Sequence, residues 1–366
     1  MKSKFYFIIA ILLSFFLIGL NSCRKWNDPC LCSPVEINRP GLIIRSADLS
    51  ALSEVQSHSN QFYDLGGSSK SPLEILTSKG LNTVRLRLWH NPSSGNSGFE
   101  DVKQQAQFLK SQGMKIWLSV HYSDSWADPG QQVIPTAWQG LSYSVLRDSI
   151  FQYTNKIMRE INPYIIQIGN EINTGFLHPH GNLQQNESQF LDLLATAESS
   201  IKAINPETKI VLHYAGIQGA TWFFDKVKYL NYDYIGLSYY PWWHGKRLTE
   251  LDSTITLLGE NFNKQILIAE TAYPFTLDWN DQTNNIVGDS TQLILPDYPA
   301  TKNGQFNFMN DLKNKLFGNI YAKGISYWGG EMIAFDGPQS SSGSPWENCA
   351  LFDFNNKALP AINYLH

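Results

Sequence analysis

Short apolar stretches rich in β-branched residues recur eight times along the chain, and polar loops and segments with helical spacing separate them. We predict strands at 42–48, 83–89, 115–121, 164–169, 209–214, 233–239, 265–270 and 323–328. Helices are predicted between them, for example over 100–112 and 187–204. Strand–helix alternation repeated this often favours a parallel (β/α)8 barrel, or TIM barrel, over an open doubly wound sheet. No glycine-rich phosphate loop follows the first strand, which argues against a dinucleotide-binding open sheet.

The N-terminus has the pattern of a bacterial lipoprotein signal peptide. Lys2 and Lys4 precede an unbroken apolar run (5–20), which is shorter than the ~20 residues that a membrane-spanning helix needs. The run ends in Leu-Asn-Ser-Cys, which resembles a lipobox whose Cys23 is lipidated; an ordinary signal peptide with a chance cysteine is the alternative. We therefore divide the chain into a lipoprotein signal peptide at 1–22, a tether at 23–40 and a single (β/α)8 domain at 41–366. This predicts an extracytoplasmic protein that is lipid-anchored to a bacterial membrane, with the outer membrane favoured.

Charge and composition exclude several kinds of partner. The formal net charge is −4 over 366 residues, and no run of basic residues exceeds two. A phosphate backbone is recognised by a positive surface, so we do not expect a nucleic-acid partner. Hydrophobic residues make up 43% of the chain, which is enough for one large core without disulfide support. We expect a monomer that touches the membrane only through its N-terminal lipid.

Polar and aromatic side chains follow the predicted strands at the point where each strand ends. In a parallel barrel these ends meet at one face, and active sites lie there. The residues are Asp48, Trp89, His90, His121, Asp124, Asn170, Glu171, Tyr239, Tyr240, Glu270 and Trp328. The sequence therefore predicts one functional site at the carboxyl face of the barrel.

Two of these residues are glutamates on strands that face each other across a barrel. Glu171 follows the predicted fourth strand in Ile-Gly-Asn-Glu, and Glu270 ends the seventh in Leu-Ile-Ala-Glu. Glycoside hydrolysis needs such a pair, because one carboxyl group protonates the leaving oxygen and the other attacks or stabilises the sugar carbon. The alternative is that each is an ordinary acid at a solvated rim.

Six motifs carry a resemblance to a known family. They are GLNTVRLRLWHNP (80–92), HYSDSWADP (121–129), IGNEINTG (168–175), SYYP (238–241), AETAYP (269–274) and WENCALFDF (346–354). By these motifs the chain resembles glycoside hydrolase family 53, the arabinogalactan endo-β-1,4-galactanases. The resemblance implies a retaining endo-hydrolase that cleaves galactan and type I arabinogalactan, which are pectin side chains, into galactooligosaccharides. The alternatives are a clan member that acts on a β-1,4-linked mannan, xylan or glucan, and a glycan-binding lipoprotein without catalysis.

The resemblance also implies roles for individual residues. Glu171 corresponds to the acid/base and Glu270 to the nucleophile. Asn170 corresponds to the residue that binds the 2-hydroxyl of the sugar, and Tyr240 to the tyrosine that hydrogen-bonds the nucleophile, with Tyr239 as the alternative if the register slips by one. Strand alternation points the arginines of TVRLRLW into the barrel, and the resemblance selects Arg85 as the group that keeps Glu270 ionised.

Further residues are expected to bind the substrate. Trp328 resembles the residue that forms the floor under the cleaved sugar, because sugar rings pack well on aromatic faces. Other expected groove residues are Asp48, Arg87, Trp89, His121, Asp124, Trp126, Trp242, Trp243 and Trp346. Each of these tryptophans except Trp346 can equally be a core or loop anchor, and Arg87 can equally be a structural salt-bridge partner.

No redox or nucleotide cofactor is required for this chemistry. The segment after the seventh strand carries several oxygen-bearing side chains, which suit a hard cation such as calcium. By resemblance to bacterial relatives, the candidate ligands of a structural calcium are Asp278, Asp281 and Asn285. A plain solvated loop is the alternative.

Overall fold

Eight parallel strands close a barrel in the computed structural model, which describes residues 42–58 and 60–366. The strands are β1 (Ile44–Asp48), β2 (Thr83–Leu88), β3 (Lys115–Val120), β4 (Ile165–Ile168), β5 (Lys209–Ala215), β6 (Tyr234–Ser238), β7 (Gln265–Thr271) and β8 (Ala322–Tyr327). Each strand pairs with its neighbour in the sequence, and β1 closes the ring by pairing with β8. The predicted (β/α)8 barrel is confirmed. The predicted signal peptide, the tether and Cys23 lie outside the described residues.

Helices alternate with the strands around the barrel. The α-helices are Leu52–Ser57, Pro72–Ser78, Phe99–Ser111, Tyr143–Glu160, Glu187–Ile204, Ala220–Val227, Pro241–His244, Leu248–Phe262 and Lys302–Gly318. Short 3₁₀ helices are Thr136–Trp138, Ser290–Gln292, Glu347–Cys349 and Pro360–Leu365. Over the described part of the chain, no helix has both the length and the apolar character needed to cross a bilayer.

Strand alternation divides the barrel into two apolar layers. On β2, Val84, Leu86 and Leu88 are buried in the layer between strands and helices. A smaller cluster fills the inside of the barrel, and its buried members are Ile44, Trp117, Ile165, Val211, Tyr234, Leu267 and Ala269. Arg85 and Arg87, on the inward face of β2, are buried as well. The guanidinium carbon of Arg85 lies 5.8 Å from the Trp117 ring centroid. The polar side chains inside the barrel are therefore in direct contact with the apolar cluster.

Candidate active site

Glu171 and Glu270 converge at the carboxyl ends of β4 and β7. One carboxylate oxygen of each glutamate and one ring nitrogen of His213 lie within 4.8 Å of one another. Carboxyl groups of retaining glycosidases are roughly 5 to 5.5 Å apart, whereas those of inverting enzymes are roughly 6.5 to 9.5 Å apart. The pair therefore has the short spacing, with no room for a water between carboxylate and sugar.

Local backbone geometry turns Glu171 into this position. Directly after β4, Gly169 has φ +74° and Glu171 has φ +48°, both in the left-handed region. A Cβ on Gly169 would lie 2.5 Å from Cγ2 of Ile172, so only glycine fits there. Positive φ is uncommon for a residue with a side chain, and such conformations cluster at functional sites.

Both oxygens of Glu270 are held by hydrogen-bond donors. Arg85 Nη2 lies 2.8 Å from Oε1, and the Tyr240 hydroxyl donates to Oε2 at 3.0 Å. Burial raises the pKa of Glu270, and the Arg85 charge and the two hydrogen bonds oppose this rise. Burial and the charge of Glu270 raise the pKa of Tyr240 well above its usual range, so its hydroxyl remains a donor.

Glu171 has different surroundings. Its Oε1 accepts a hydrogen bond from the Ser238 hydroxyl at 2.6 Å. Burial and then the negative charge of Glu270 raise the pKa of Glu171 to about 8. One carboxyl group thus contacts a cation while the other faces an anion. This contrast favours a protonated Glu171 beside an ionised Glu270 at neutral pH.

The Asn170 side chain is held by several polar groups, among them Arg85, the partner of Glu270. Its Oδ1 accepts from Arg85 Nη2 at 2.9 Å and from Gln167 Nε2 at 3.0 Å, and its Nδ2 donates to the Ala127 carbonyl at 2.9 Å. Ser119 donates to the same Oδ1 at 3.4 Å. The amide plane of Asn170 is therefore fixed at the edge of the cleft.

Arg87 stacks between two tryptophans. Its guanidinium carbon lies 4.2 Å from the ring centroid of Trp89 and 4.0 Å from that of Trp126. The Ser97 hydroxyl accepts from its Nε at 3.2 Å and from its Nη2 at 2.9 Å. No carboxylate of the described residues forms an ion pair with Arg87. The stack stiffens the wall of the cleft instead.

The cleft above the glutamates has a volume of about 590 Å³. Its lining includes Arg87, Trp89, Trp126, Asn170, Glu171, Tyr240, Trp243, Glu270, Trp328 and Trp346. Trp242 was expected in this lining too, but it is not among the lining residues; it is half-buried and packs against the hydrophobic core. Trp243 is the neighbour that faces the cleft, with 56% of its surface exposed. Both were expected to line the cleft, but successive residues of the short helix Pro241–His244 point in different directions, so only Trp243 does.

Three other expected substrate residues support the cleft from behind. Asp48 binds Arg85 Nη1 at 2.7 Å, and His121 Nδ1 accepts from the Ala127 N–H at 3.2 Å. Asp124 accepts from two backbone N–H groups, those of Asn91 at 3.0 Å and Thr136 at 2.7 Å. None of the three is among the lining residues of the cleft. Their contacts fix Arg85 and the loops after β2 and β3.

The three calcium candidates bind mainly to their own loop. Asp281 accepts from Thr283 N at 2.6 Å and from Ser344 N at 3.1 Å. Asp278 accepts from the Thr276 hydroxyl at 2.9 Å. Asn285 Nδ2 lies 3.5 Å from the carbonyl oxygen of Asp278.

Glu171, His213 and Glu270 also have a spacing that a metal ion can use. However, Glu270 already pairs with the Arg85 guanidinium, and both ring nitrogens of His213 have hydrogen-bond contacts. A cation at this position would meet the positive charge of Arg85. The arrangement suits proton transfer better than metal binding.

The sequence did not single out three residues of this site, namely Gln167, His213 and Ser238. All three are fully buried polar side chains on β4, β5 and β6. A polar residue at an inward position of an apolar strand was the available signal. Strand alternation alone did not say which of these would reach the glutamates.

A parallel barrel with paired carboxyl groups at the ends of β4 and β7, under a cleft walled by tryptophans, defines a glycoside hydrolase. The chain belongs to glycosyl hydrolase family 53, whose sequence model matches residues 44–365. The resemblance predicted from the six motifs is confirmed.

Relatives support the same family along nearly the whole length. The arabinogalactan endo-β-1,4-galactanase of Cellvibrio japonicus is 33% identical over 336 residues, which cover 86% of this chain and 88% of that protein. A solved GH53 catalytic domain from Ignisphaera aggregans is 37% identical with a TM-score of 0.83, and the match covers 90% of this chain and 97% of that one. A fungal β-1,4-galactanase structure is 26% identical with a TM-score of 0.76, covering 89% and 99%.

Proposed function

We propose that the protein is a retaining endo-β-1,4-galactanase that cleaves galactan and type I arabinogalactan, the side chains of pectin. The observation that carries the proposal is the pair of carboxyl groups within 4.8 Å of each other, one paired with Arg85 and the other beside an anion. Relatives named as arabinogalactan endo-β-1,4-galactanases support the choice of substrate.

In the first step, an oxygen of Glu270 forms a bond to the anomeric carbon of the galactosyl unit. The bond between that carbon and the glycosidic oxygen breaks, and the leaving oxygen takes the proton of Glu171. The products are a galactosyl ester of Glu270, an ionised Glu171 and the departed end of the chain. Arg85 and Tyr240 orient the attacking carboxylate, because each binds one of its oxygens.

In the second step, Glu171 acts as a base. A water gives one proton to Glu171 while its oxygen attacks the anomeric carbon, and the ester bond to Glu270 breaks. Two displacements at one carbon return the original β configuration. Glu171 ends protonated and Glu270 ionised, which is the starting state.

Asn170 and Trp328 position the sugar in this proposal. Asn170 Nδ2 has a second N–H besides the one donated to Ala127, and that N–H is available for a 2-hydroxyl oxygen. Hydrogen bonds to this hydroxyl strengthen in the transition state of glycoside hydrolysis. Trp328 lines the cleft and offers an aromatic face to the ring.

The test is the release of reducing ends from linear β-1,4-galactan, with β-1,4-mannan, xylan and glucan as parallel substrates. We expect soluble galactooligosaccharides from galactan alone, and NMR should show the β anomer first. Preferred cleavage of another polymer would replace galactan with that substrate. Binding of galactan without any product would support the glycan-binding alternative.

We also propose that the enzyme works as a lipid-anchored monomer outside the cytoplasm. The lipobox at Cys23 supports the anchor, and the completeness of the site within one chain supports the monomer. Labelled palmitate should enter the wild type and not Cys23→Ser. Light scattering of the protein without its first 22 residues should give the mass of one chain.

A structural calcium in the loop after β7 is part of the proposal. Asn285 Oδ1 and Glu347 Oε2 are buried oxygens without a hydrogen-bond partner, and the Asp281 N–H donates to Glu347 Oε1 at 3.3 Å. These oxygens suit a hard cation. Calcium should raise the melting temperature of chelator-treated protein, and Asp281→Asn should reduce that increase. An unchanged melting temperature would contradict the site.

A further inference from the structure

His213 contacts the main chain of Glu171 through one ring nitrogen. The Glu171 N–H donates to His213 Nδ1 at 3.3 Å, and Gln167 Nε2 lies 3.0 Å from the same nitrogen. A backbone N–H can only donate, so Nδ1 must carry the lone pair. Burial, and next the charge of Arg85, lower the pKa of His213 well below its usual range. The ring is therefore neutral, and its single proton is on Nε2.

The opposite tautomer fits less well. With its proton on Nδ1, the ring would donate to Asn170 Oδ1 at 3.2 Å, but that oxygen already accepts hydrogen bonds from Arg85 and Gln167. The Glu171 N–H would then face another N–H and lose its acceptor. An unsatisfied buried donor is costly.

The other ring nitrogen leads to the carboxyl group of Glu171. His213 Nε2 lies 2.9 Å from Ser238 Oγ, and Ser238 Oγ lies 2.6 Å from Glu171 Oε1. Because Nε2 donates to the hydroxyl oxygen, the hydroxyl proton is directed toward Glu171. One imidazole thus holds the left-handed backbone of Glu171 directly and its carboxyl group through Ser238.

We propose that His213 and Ser238 are positioning residues. Together they keep Oε1 of Glu171 occupied by a hydrogen bond, which leaves Oε2 as the oxygen that exchanges the catalytic proton. This inference rests on the proposed function. When the glycosidic bond breaks, the Oε2–H bond breaks and a bond between that proton and the leaving oxygen forms. When water attacks, a water O–H bond breaks and Oε2–H forms again. Ser238 donates to Oε1 throughout, in both protonation states.

Several charged or titratable groups from neighbouring elements face Glu171. Glu270 on β7 and Asp128 in the loop after β3 raise its pKa, whereas Arg85 on β2 and the hydrogen bond from Ser238 lower it. Tyr240, after β6, remains protonated beside the pair. Loss of the Ser238 hydroxyl therefore removes one of the contacts that favour the ionised form, and the pKa of Glu171 should rise.

The decisive variant is Ser238→Ala, tested on two substrates that differ in their leaving group. Galactan needs a proton on its leaving oxygen, whereas a dinitrophenyl β-galactobioside does not. We expect kcat/KM on galactan to fall about 10- to 100-fold and kcat/KM on the aryl substrate to fall by less than about 3-fold. The alkaline limb of kcat/KM on galactan should move up by about one pH unit.

Ser326→Ala is the matched control. Ser326 is a fully buried serine on β8 whose Oγ has no hydrogen-bond partner. Ser326→Ala therefore removes the same hydroxyl oxygen without removing a hydrogen bond. Its kcat/KM and pH profile should match the wild type on both substrates. Ser238→Gly removes the same hydroxyl with different packing, and it provides the test if Ser238→Ala fails to fold.

The two proposals fail in different ways. A wild type that releases nothing from galactan overturns the proposed function. If the wild type is active, an equal loss on both substrates with an unmoved alkaline limb overturns the positioning role. A loss confined to galactan, with the limb shifted upward, supports it.

Discussion

Arg85 and Glu270 face each other across the barrel, from β2 and β7, and their side chains form an ion pair of 2.8 Å between Nη2 and Oε1. Nη1 of the same guanidinium binds Asp48 Oδ2 at 2.7 Å. All three side chains are buried, so one cation balances two carboxylates away from water. The guanidinium binds two carboxylates and the Asn170 amide from two separate nitrogens, whereas an ammonium presents its three N–H groups from a single nitrogen.

Arg85→Lys is therefore expected to damage both activity and stability. Lysine keeps the charge but cannot reach all three partners, so a buried carboxylate is left without its ion pair. We expect the free energy of unfolding in urea to fall by about 3 kcal/mol and kcat/KM to fall at least about 100-fold. Arg45→Lys is the control, since Arg45 lies near the start of β1, at the end opposite to the cleft, and its Nε donates to the carbonyl of Gly80. Equal effects of the two substitutions would contradict this account.

Removal of the nucleophile should abolish turnover without unfolding the protein. Glu270→Ala deletes the attacking oxygens, so we expect the release of galactooligosaccharides to fall by roughly four orders of magnitude. Azide fits the space left by the carboxylate and should attack an aryl β-galactobioside directly, which gives an α-galactosyl azide. Turnover like that of the wild type would end the assignment of Glu270.

The matched substitution on the other glutamate should give the opposite stereochemistry. In Glu171→Ala the ester on Glu270 still forms from an aryl substrate, but no base activates water. Azide needs no base, so it should restore turnover and yield a β-galactosyl azide. The same product from both variants would show that the two roles are not divided as proposed.

The pH dependence of kcat/KM should have its alkaline limit near the pKa of Glu171. Burial and the charge of Glu270 raise this pKa to about 8. The first step needs the protonated acid, so activity should be full below this pH and fall as the pH rises through about 8. An aryl substrate with an acidic leaving group should lose this limit. An alkaline limit between pH 4 and 5 would mean that Glu171 has an ordinary carboxyl pKa.

Strand patterning predicted the barrel and part of its site. Each strand of the barrel begins and ends within two residues of its predicted bounds. The register held at β6, since the Tyr240 hydroxyl reaches Glu270 while the Tyr239 hydroxyl donates to the Gly245 carbonyl. Side-chain direction along a strand follows from a period of two, so inward residues such as Arg85 could be chosen.

Contacts that depend on loops could not be predicted in this way. Trp242 and Trp243 follow β6 in a four-residue helix, where direction changes by about 100° per residue. Ser238 and His213 reach Glu171 because its backbone adopts a left-handed turn after β4. Residue type alone predicts neither the directions of these two tryptophan side chains nor the left-handed turn at Glu171.

The two adjacent tryptophans after β6 should differ in their effect on substrate binding. Trp243 is 56% exposed and lines the cleft, so Trp243→Ala should raise KM for galactan about 10-fold by removing a sugar platform. Trp242 is half-buried and packs against the hydrophobic core, so Trp242→Ala should lower the melting temperature more than Trp243→Ala does. Isothermal titration with galactooligosaccharides and thermal unfolding separate the two effects. The reverse pattern would mean that Trp242 faces the sugar.

Glu331 gives a stability prediction that is independent of catalysis. It follows β8, its Oε1 accepts from the Ala51 N–H at 2.9 Å, and its buried Oε2 has no hydrogen-bond partner. Burial and next the charge of Asp48 raise the pKa of Glu331 to about 8. The folded protein therefore keeps a proton here that the unfolded chain releases above its ordinary pKa of about 4.3.

This stabilisation is fully present below the unfolded pKa and is lost as the pH rises through the folded value. For one proton the slope is about 1.4 kcal/mol per pH unit, so the free energy of unfolding should decrease from pH 5 to pH 8. Glu331→Gln has the same shape and stays neutral, so urea titrations should show its advantage over the wild type growing across that range. Glu171 is present in both the wild type and Glu331→Gln, so its contribution to the pH dependence cancels when their free energies of unfolding are compared. Glu260→Gln, an exposed glutamate on the helix Leu248–Phe262, should run parallel to the wild type. Parallel curves for Glu331→Gln as well would mean that Glu331 is ionised in the folded protein at neutral pH.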